Sequence, residues 1–257
     1  MENEVLRFEN VWYLNTESSV HVDDINFTLA QGEGLLISGP EGSGKSVILE
    51  LIMGKRIPKV GQIWLDGNQI ENTSDEDLEK LRFSLGYVSQ SAGLINNLSV
   101  VENILFPLRY HTTMDETELN IVANSWIERY ELTHKRNTRP VALTASEMIR
   151  TALIRALIVN PRVLLIDTAF DSLCPLASRR IIELLSEDIK AYNLTYIIST
   201  YNTRIFRAEN LQFKLIYRGK IVFSSQHAEI YSSEDPALVQ YLRANTTGPM
   251  QAFNDQV

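Results

Sequence analysis

Cysteine occurs once, at Cys174, so no internal disulfide can staple the chain, and a reducing compartment suits it. No apolar run reaches the roughly 18–20 residues that a membrane span needs; the longest are cut by Arg155, Asn160 and Arg162. Basic charge is in deficit: 24 Lys and Arg against 32 Asp and Glu leave a formal charge of −8, which disfavours non-specific nucleic-acid binding. His21, His111, His134 and His227 are too scattered for metal-ligand spacing, so surface or capping roles are expected of them. There is no internal repeat or low-complexity block. The opening MENEVLRFEN is acidic and polar and does not read as a secretory signal. What is present suits a globular, cytoplasmic protein. The 257 residues are 44% hydrophobic and 22% charged, and a domain of that size buries about three quarters of its unfolded surface without staples.

Strand-like runs come first: Val5 to Phe8, Ile25 to Leu29 and Leu35 to Ser38, with turn chemistry at Asn15–Ser19 and Gln31–Gly34. KSVILELIMG, Lys45 to Gly54, then has helical spacing and stops at a glycine. Gly61 to Gly67 reads as a strand closing on an Asp-Gly turn. Helical patterns with acidic first turns cover Ser74–Arg82 and Asp115–Tyr130, and another covers Ala145–Val159, ended by Asn160-Pro161. Val163–Ile166 and Tyr196–Ser199 have the apolar continuity of buried parallel strands, separated by a helix over Ala177–Ala191. Leu211–Phe223 reads as a hairpin around Arg218-Gly219, and the tail from Thr246 is expected to be disordered. Strands alternating with helices imply an α/β sheet with right-handed crossovers. The stretch between Gln90 and Ile149 is too long for a loop and is expected to form an inserted helical subdomain.

The strongest motif is Gly39, Pro40, Glu41, Gly42, Ser43, Gly44, Lys45, Ser46, which satisfies G-x-x-x-x-G-K-[ST] between a strand and a helix. Glycines let the backbone wrap so that successive N–H groups face a β-phosphate, and the helix N-terminus adds partial positive charge. Lys45 would reach the β- and γ-phosphates, and the Ser46 hydroxyl would hold Mg²⁺. The plainer alternative is a glycine turn before a helix. The strand–loop–helix context favours nucleotide binding.

Further segments resemble an ABC-transporter ATP-binding subunit over nearly the whole chain, about Leu6 to Leu242. Gly86-Tyr-Val-Ser-Gln90 resembles the family's Q-loop, whose Gln touches Mg²⁺ and senses the membrane subunit. Leu143, Thr144, Ala145, Ser146 and Glu147, followed by Arg150 and Ile154-Arg-Ala-Leu157, fall where the family carries LSGGQ and ARAL. Val163–Asp167 resembles the Walker B strand, with Asp167 supporting Mg²⁺ through water; the D-loop falls at Phe170–Pro175. Gly93-Leu, Leu98–Asn103 and Pro107–Thr112 are similar to the Mla/Mkl branch, which serves bacterial lipid transport, although Glu-Asn-Ile-x-x-Pro-Leu spacing is shared with other importers.

The resemblance implies a P-loop NTPase: a RecA-like α/β core with an N-terminal antiparallel β subdomain and an inserted α-helical subdomain. One nucleotide-binding domain is expected over 1–245, with the insertion at about 91–150 and the disordered tail at 246–257. ATP and Mg²⁺ are the implied cofactors, with Ser46, Gln90 and Asp167 at the metal. The implied partners are transmembrane permease subunits and a second ATP-binding subunit in a homo- or heterodimer, without nucleic acid. The implied location is peripheral, on the cytoplasmic face of the inner membrane. The family stacks an aromatic on adenine; gapless matching places Asn15 there, with Tyr13 and Trp12 upstream, and Val20 where an apolar residue packs beneath the base or ribose. A half-buried strand position is the plainer account of either ring.

The departures concern catalysis. Thr168 stands where the family has the glutamate that polarises attacking water, and a neutral hydroxyl cannot take that proton; losing a general base costs roughly 10²–10⁴-fold. Thr200 replaces the switch histidine and Cys174 the D-loop aspartate, while Ala145 and Ser146 replace the signature glycines. Thr144 keeps a hydroxyl at the signature, and Glu147 adds negative charge near where a partner's triphosphate would lie. Asp171 is a nearby carboxylate, but its D-loop position points it toward the partner. The reading is Mg-ATP binding with hydrolysis lost or strongly reduced. The alternatives are an active ABC ATPase with an unorthodox base, or a scaffold without nucleotide.

Elsewhere, plain readings prevail. Ser38 and Ser199 lack a nucleophile-elbow sequence. Ser74–Asp77 reads as a solvated first turn, and Arg179-Arg180 pairs with Glu183 along a helix. Phe106 and Leu108 suit a groove for a membrane protein's coupling helix as well as they suit a core.

Overall fold

A computed structural model describes residues 4–14, 21–206, 208 and 210–251. In chain order the elements begin β1 (Glu4–Leu14), β2 (His21–Ala30), β3 (Gly34–Ser38), α1 (Lys45–Ile52), β4 (Val60–Leu65), β5 (Asn68–Gln69) and α2 (Asp75–Phe83). There follow β6 (Leu85–Ser89), α3 (Val100–His111), α4 (Glu116–Arg129), α5 (Ala145–Leu157), β7 (Val163–Asp167) and α6 (Pro175–Tyr192). The last are β8 (Thr195–Ser199), β9 (Leu211–Tyr217), β10 (Lys220–Gln226) and α7 (Pro236–Arg243). Two compact units result: residues 1–82 with 195–257, and residues 83–194. Among the described residues no helix is long and apolar enough to cross a membrane.

The first unit holds an antiparallel sheet in the order β2-β1-β4-β5. Alternation along β1 and β2 sends Leu6, Phe8, Ile25 and Phe27 inward, and Phe8 stacks on Phe27 with centroids 4.5 Å apart. Asp66-Gly67, with φ of 48° and 75°, turns β4 into β5, and Arg218-Gly219, at 48° and 76°, turns β9 into β10. In the same unit β3 lies parallel between β8 and β9, so Leu36 neighbours both Ile198 and Phe213. All five β3 residues are buried, which explains why Gly-Leu-Leu-Ile-Ser shows no polar alternation.

The second unit pairs β6 with β7 in parallel. Three of its helices, α3, α4 and α5, start on reciprocal capping boxes: Ser99 with Glu102, Asp115 with Glu118, and Thr144 with Glu147. Asp188 of α6 is 2% exposed and ties down α4, accepting from Tyr130 Oη and Arg129 Nε, both at 2.7 Å.

Two features depart from expectation. The tail from Thr246 is held as far as Gln251: Gln240 bonds both backbone groups of Met250, at 2.7 and 2.8 Å, and the Gln251 N–H donates to Tyr217 Oη. Met250 is buried, an apolar anchor that polar flanking residues conceal in the sequence. His227 is buried too, with Nε2 2.7 Å from Thr203 O. Helix α7 begins on Asp235, whose carboxylate accepts from Leu238 N–H, with Pro236 opening its first turn.

Candidate functional site

In the first unit, β3 delivers the chain into the loop of residues 39–46. Buried Ser38 donates Oγ to Thr200 O at 2.7 Å, and Thr200 N donates to Ile37 O. A Cβ at Gly39 would come within 2.0 Å of Ile216 O, so β9 leaves no room for a side chain. Gly44 caps α1 in the left-handed region at φ 103°, where a Cβ would meet His21 O at 2.9 Å. Ser43 O accepts from Gly219 N at 3.0 Å, fastening the loop to the β9–β10 turn. No side chain caps α1, and the first turn of a helix offers N–H groups that lack intrahelical partners. Glu41, Gly42 and Ser46 are exposed. This cradle fits a phosphate chain, because glycine occupies the positions where a side chain would strike backbone.

Lys45 is 5% exposed. Its Nζ donates to Gly39 O and Pro40 O, both at 2.8 Å, and to Ser43 Oγ at 3.3 Å. The Tyr201 ring lies over the ammonium, its centroid 4.4 Å away. Tyr241 of α7 accepts the Gly39 N–H at 3.2 Å and lies 3.3 Å from Tyr201 O. Motif reading misses both tyrosines, since neither belongs to the loop; the one clue to Tyr201 is that it follows the switch position. Thr200 itself is 1% exposed, and its hydroxyl accepts from Asn202 N–H, so it shapes a turn.

In the second unit, β6 and β7 run in register with Ser89 beside Asp167, so Gln90 and Asp167 share one end of this pair. Asp167 is 9% exposed. Thr168 follows with φ 50°, an outlier for a β-branched residue. Its carbonyl accepts from Asp171 N, and Phe170 O accepts from Leu173 N, which makes two successive tight turns around buried Phe170. Asp171 is half-buried, and Cys174 is exposed at the N-cap of α6, where its side chain makes no capping bond.

At the signature-like segment Leu143 is half-buried, Thr144 is the exposed N-cap of α5, and Ala145 is exposed. Ser146 Oγ lies 3.3 Å from Thr144 Oγ1. Glu147 turns back to accept the Thr144 N–H at 2.8 Å and lies 3.6 Å from Lys135 Nζ. Burial pushes its carboxyl up, yet the Thr144 bonds with the Lys135 and Arg150 charges outweigh that and hold it below the ordinary glutamate value. Its charge is therefore compensated within the unit.

Tyr13 is half-buried, with its hydroxyl accepting from Arg56 at 2.7 Å and the guanidinium 5.2 Å from its ring centre; Arg56 also pairs with Glu50. Val20 and Asn15 lie outside the described residues. Phe106 is 50% exposed whereas Leu108 is buried, so only Phe106 is available to a partner. Arg179 and Arg180 both pair with Glu183.

Comparison with known proteins agrees with this geometry. A family model described as "ABC transporter" matches residues 22–171, more than half of the chain. The intermembrane phospholipid transport system ATP-binding protein MlaF of Haemophilus influenzae is 26% identical over 251 residues, covering 98% of this chain and 95% of its own length. The probable ribonucleotide transport ATP-binding protein mkl of Mycobacterium tuberculosis is 27% identical across 89% of this chain, which spans 64% of that protein. Among solved structures, the dimeric post-hydrolysis state of the ATP-binding cassette MJ0796, bound to ADP and Pi, gives a TM-score of 0.79 at 26% identity, covering 86% of this chain and 98% of that one. CbiO1 of Clostridium perfringens, at 24% identity and a TM-score of 0.80 over 94% of this chain and 96% of its own, shares the fold. The phosphate loop, the strand ending on Asp167 and these likenesses have one explanation: the chain belongs to the ABC transporter family, as an ATP-binding subunit with the P-loop NTPase fold.

Proposed function

We propose that this subunit binds Mg·ATP and hydrolyses it very slowly or not at all, acting as a nucleotide-responsive member of a transporter. The observation that carries the reading is the pairing of a complete phosphate cradle at 39–46 with Thr168 directly after Asp167. Residues 39–46 would hold the phosphates, and Ser46, Gln90 and Asp167 would hold Mg²⁺, which supplies charge neutralisation at the β- and γ-oxygens. No carboxylate directly follows Asp167, where Thr168 stands, and the buried Thr200 hydroxyl is engaged by Asn202, so neither threonine offers the base or the long side chain that the family uses. These losses act on one transition state, so their costs do not multiply. Binding without turnover still biases a two-state transporter if the nucleotide prefers one state.

Family members work with transmembrane permeases and dimerise. For this chain we place the working position at the cytoplasmic face of the membrane, beside a permease and a second cassette. In a heterodimer both composite sites would be affected, because one copy supplies Thr168 and the other would meet the altered signature. Lipid is the proposed cargo, supported by the near-full-length likeness to MlaF and by the segments at Gly93-Leu and Pro107–Thr112.

The test is Mg·ATP affinity and phosphate release on purified protein. The expected result is binding by the wild type that weakens at least about 10-fold in Lys45→Ala, from loss of a charge-assisted contact. Phosphate release is expected roughly 10²–10⁴-fold below a cassette that keeps its glutamate, and Thr168→Glu is expected to raise it. Release at ordinary transporter rates, abolished by Lys45→Ala, establishes an active enzyme instead; no binding leaves a scaffold.

A further inference from the structure

We propose that Tyr201 is a latch on the nucleotide loop: its ring competes with the triphosphate for Lys45 and thereby sets the affinity. The inference rests on the nucleotide-binding reading and adds the residue that tunes it. An ammonium carries only donors, and Lys45 directs Nζ to Gly39 O, Pro40 O and Ser43 Oγ. The Tyr201 ring covers a further face at 4.4 Å, within cation–π range. Lys45 is 5% exposed while Tyr201 is 45% exposed, so a ring nearer the surface covers a lysine that is itself buried.

The backbone fixes where that cover hangs. Thr200 is anchored through Ser38 Oγ, and its own hydroxyl accepts the Asn202 N–H at 3.0 Å. Asn202 Oδ1 accepts the Arg204 N–H, a second side-chain-to-backbone turn. Tyr201 O lies 3.3 Å from the Tyr241 hydroxyl, which also accepts from Gly39 N–H. Latch and loop thus share a brace. A phosphate chain that draws Lys45 toward itself must replace at least one loop acceptor and the ring. The ring contact, at cation–π strength, corresponds to about 2- to 30-fold in affinity.

Two readouts test this on the full chain, using wild type, Tyr201→Phe and Tyr201→Ala. The first needs no nucleotide: the acylation rate of Lys45 under a water-soluble acetylating reagent, followed by mass spectrometry. The expected result is a several-fold faster rate in Tyr201→Ala and a wild-type rate in Tyr201→Phe, which keeps the ring. The second is Mg·ATP binding by calorimetry, with Lys45→Ala as baseline. Tyr201→Ala is expected to bind about 2- to 30-fold tighter than wild type, and Tyr201→Phe within 2-fold. Unchanged Lys45 acylation in Tyr201→Ala overturns the latch, as does equal or weaker binding by that variant when the wild type binds; in both cases nucleotide binding itself stands. If wild type and Tyr201→Ala both fail to bind, the nucleotide-binding reading falls and takes the latch with it.

Discussion

The loop at 39–46 and the segment Asp167–Cys174 make the same demands on the backbone and answer them differently. Each follows a buried strand, each needs a residue in the left-handed region, and each leads into a helix. In the first, glycine stands at the tight position 39 and at the left-handed position 44. In the second, a β-branched threonine takes the left-handed position, and the helix opens on a cysteine that caps nothing. Local sequence and local backbone agree in the phosphate loop and conflict after Asp167, and such conflicts mark places where something other than stability set the residue. The conflict begins at the position where the family's water-polarising carboxylate stands. On the function proposed above, the chain keeps the means to hold a triphosphate and lacks the groups that would act on it.

The largest effect on stability is expected at the agreeing end. Gly39→Ala would put a methyl 2.0 Å from Ile216 O, which must displace loop or strand, since that contact is with backbone. Overpacking of this kind costs about 1–3 kcal/mol, and the loop would lose its nucleotide fit as well. Urea unfolding with a parallel Mg·ATP titration checks both; an alanine variant of wild-type stability would show that the loop is looser than its contacts imply.

The signature-like segment stands between these extremes, because Glu147 resolves locally what the motif lost. The Thr144–Glu147 box caps α5, and Glu147→Ala should cost about 1 kcal/mol. The carboxyl's folded value lies below its unfolded one, so its contribution is present above the unfolded value and fades as pH falls through the folded value. Glu147→Gln keeps an N3 side chain that completes the box but removes the charge. Its stability should therefore respond less to acid below the ordinary glutamate range than that of the wild type. Melting curves across that range decide it, and parallel acid limbs would mean that Glu147 carries no linked proton.

Much of this was legible in the sequence, for reasons that differ by region. Buried parallel strands such as Val163–Asp167 declare themselves by unbroken apolar runs, and the phosphate loop by glycine spacing that few other structures need. Tyr201 over Lys45 was not legible, because the pair joins positions 156 residues apart in the chain, and no periodicity reports on such a contact. The anchoring of Met250 depends likewise on a glutamine ten residues back that reads as surface. Glu147 was legible in principle, since Thr-x-x-Glu before an apolar run is a capping signal, although its place in the signature-like segment makes its charge the more conspicuous feature. The left-handed Thr168 contradicts its own residue type, so no propensity could have announced it.

That contradiction gives the next test. Asparagine tolerates the left-handed region far better than a β-branched residue, so Thr168→Asn should stabilise the chain by about 1 kcal/mol. A destabilised asparagine variant would mean that the threonine methyl or hydroxyl contributes packing worth more than the strain. The same comparison with Gly39→Ala then reverses sign within one molecule, one substitution breaking an agreement and the other mending a conflict.

The smallest effect concerns the uncapped end of α6. Cys174 has the extended backbone of an N-cap, with φ −65° and ψ 151°, and Pro175 occupies the first helical turn. The geometry for a cap is therefore ready, and only the acceptor is missing. In Cys174→Asp a carboxylate would accept N–H groups of the first turn and meet the positive end of the helix dipole, a gain of about 0.5–1 kcal/mol. The position is exposed, so no packing is lost in exchange. The gain should shrink as salt screens the dipole term while the capping bond persists, and denaturant midpoints at two ionic strengths separate the two. Asparagine, which caps without charge, should keep the salt-insensitive part, whereas a Cys174→Asp variant no more stable than wild type would place the conflict after Asp167 at Thr168 alone.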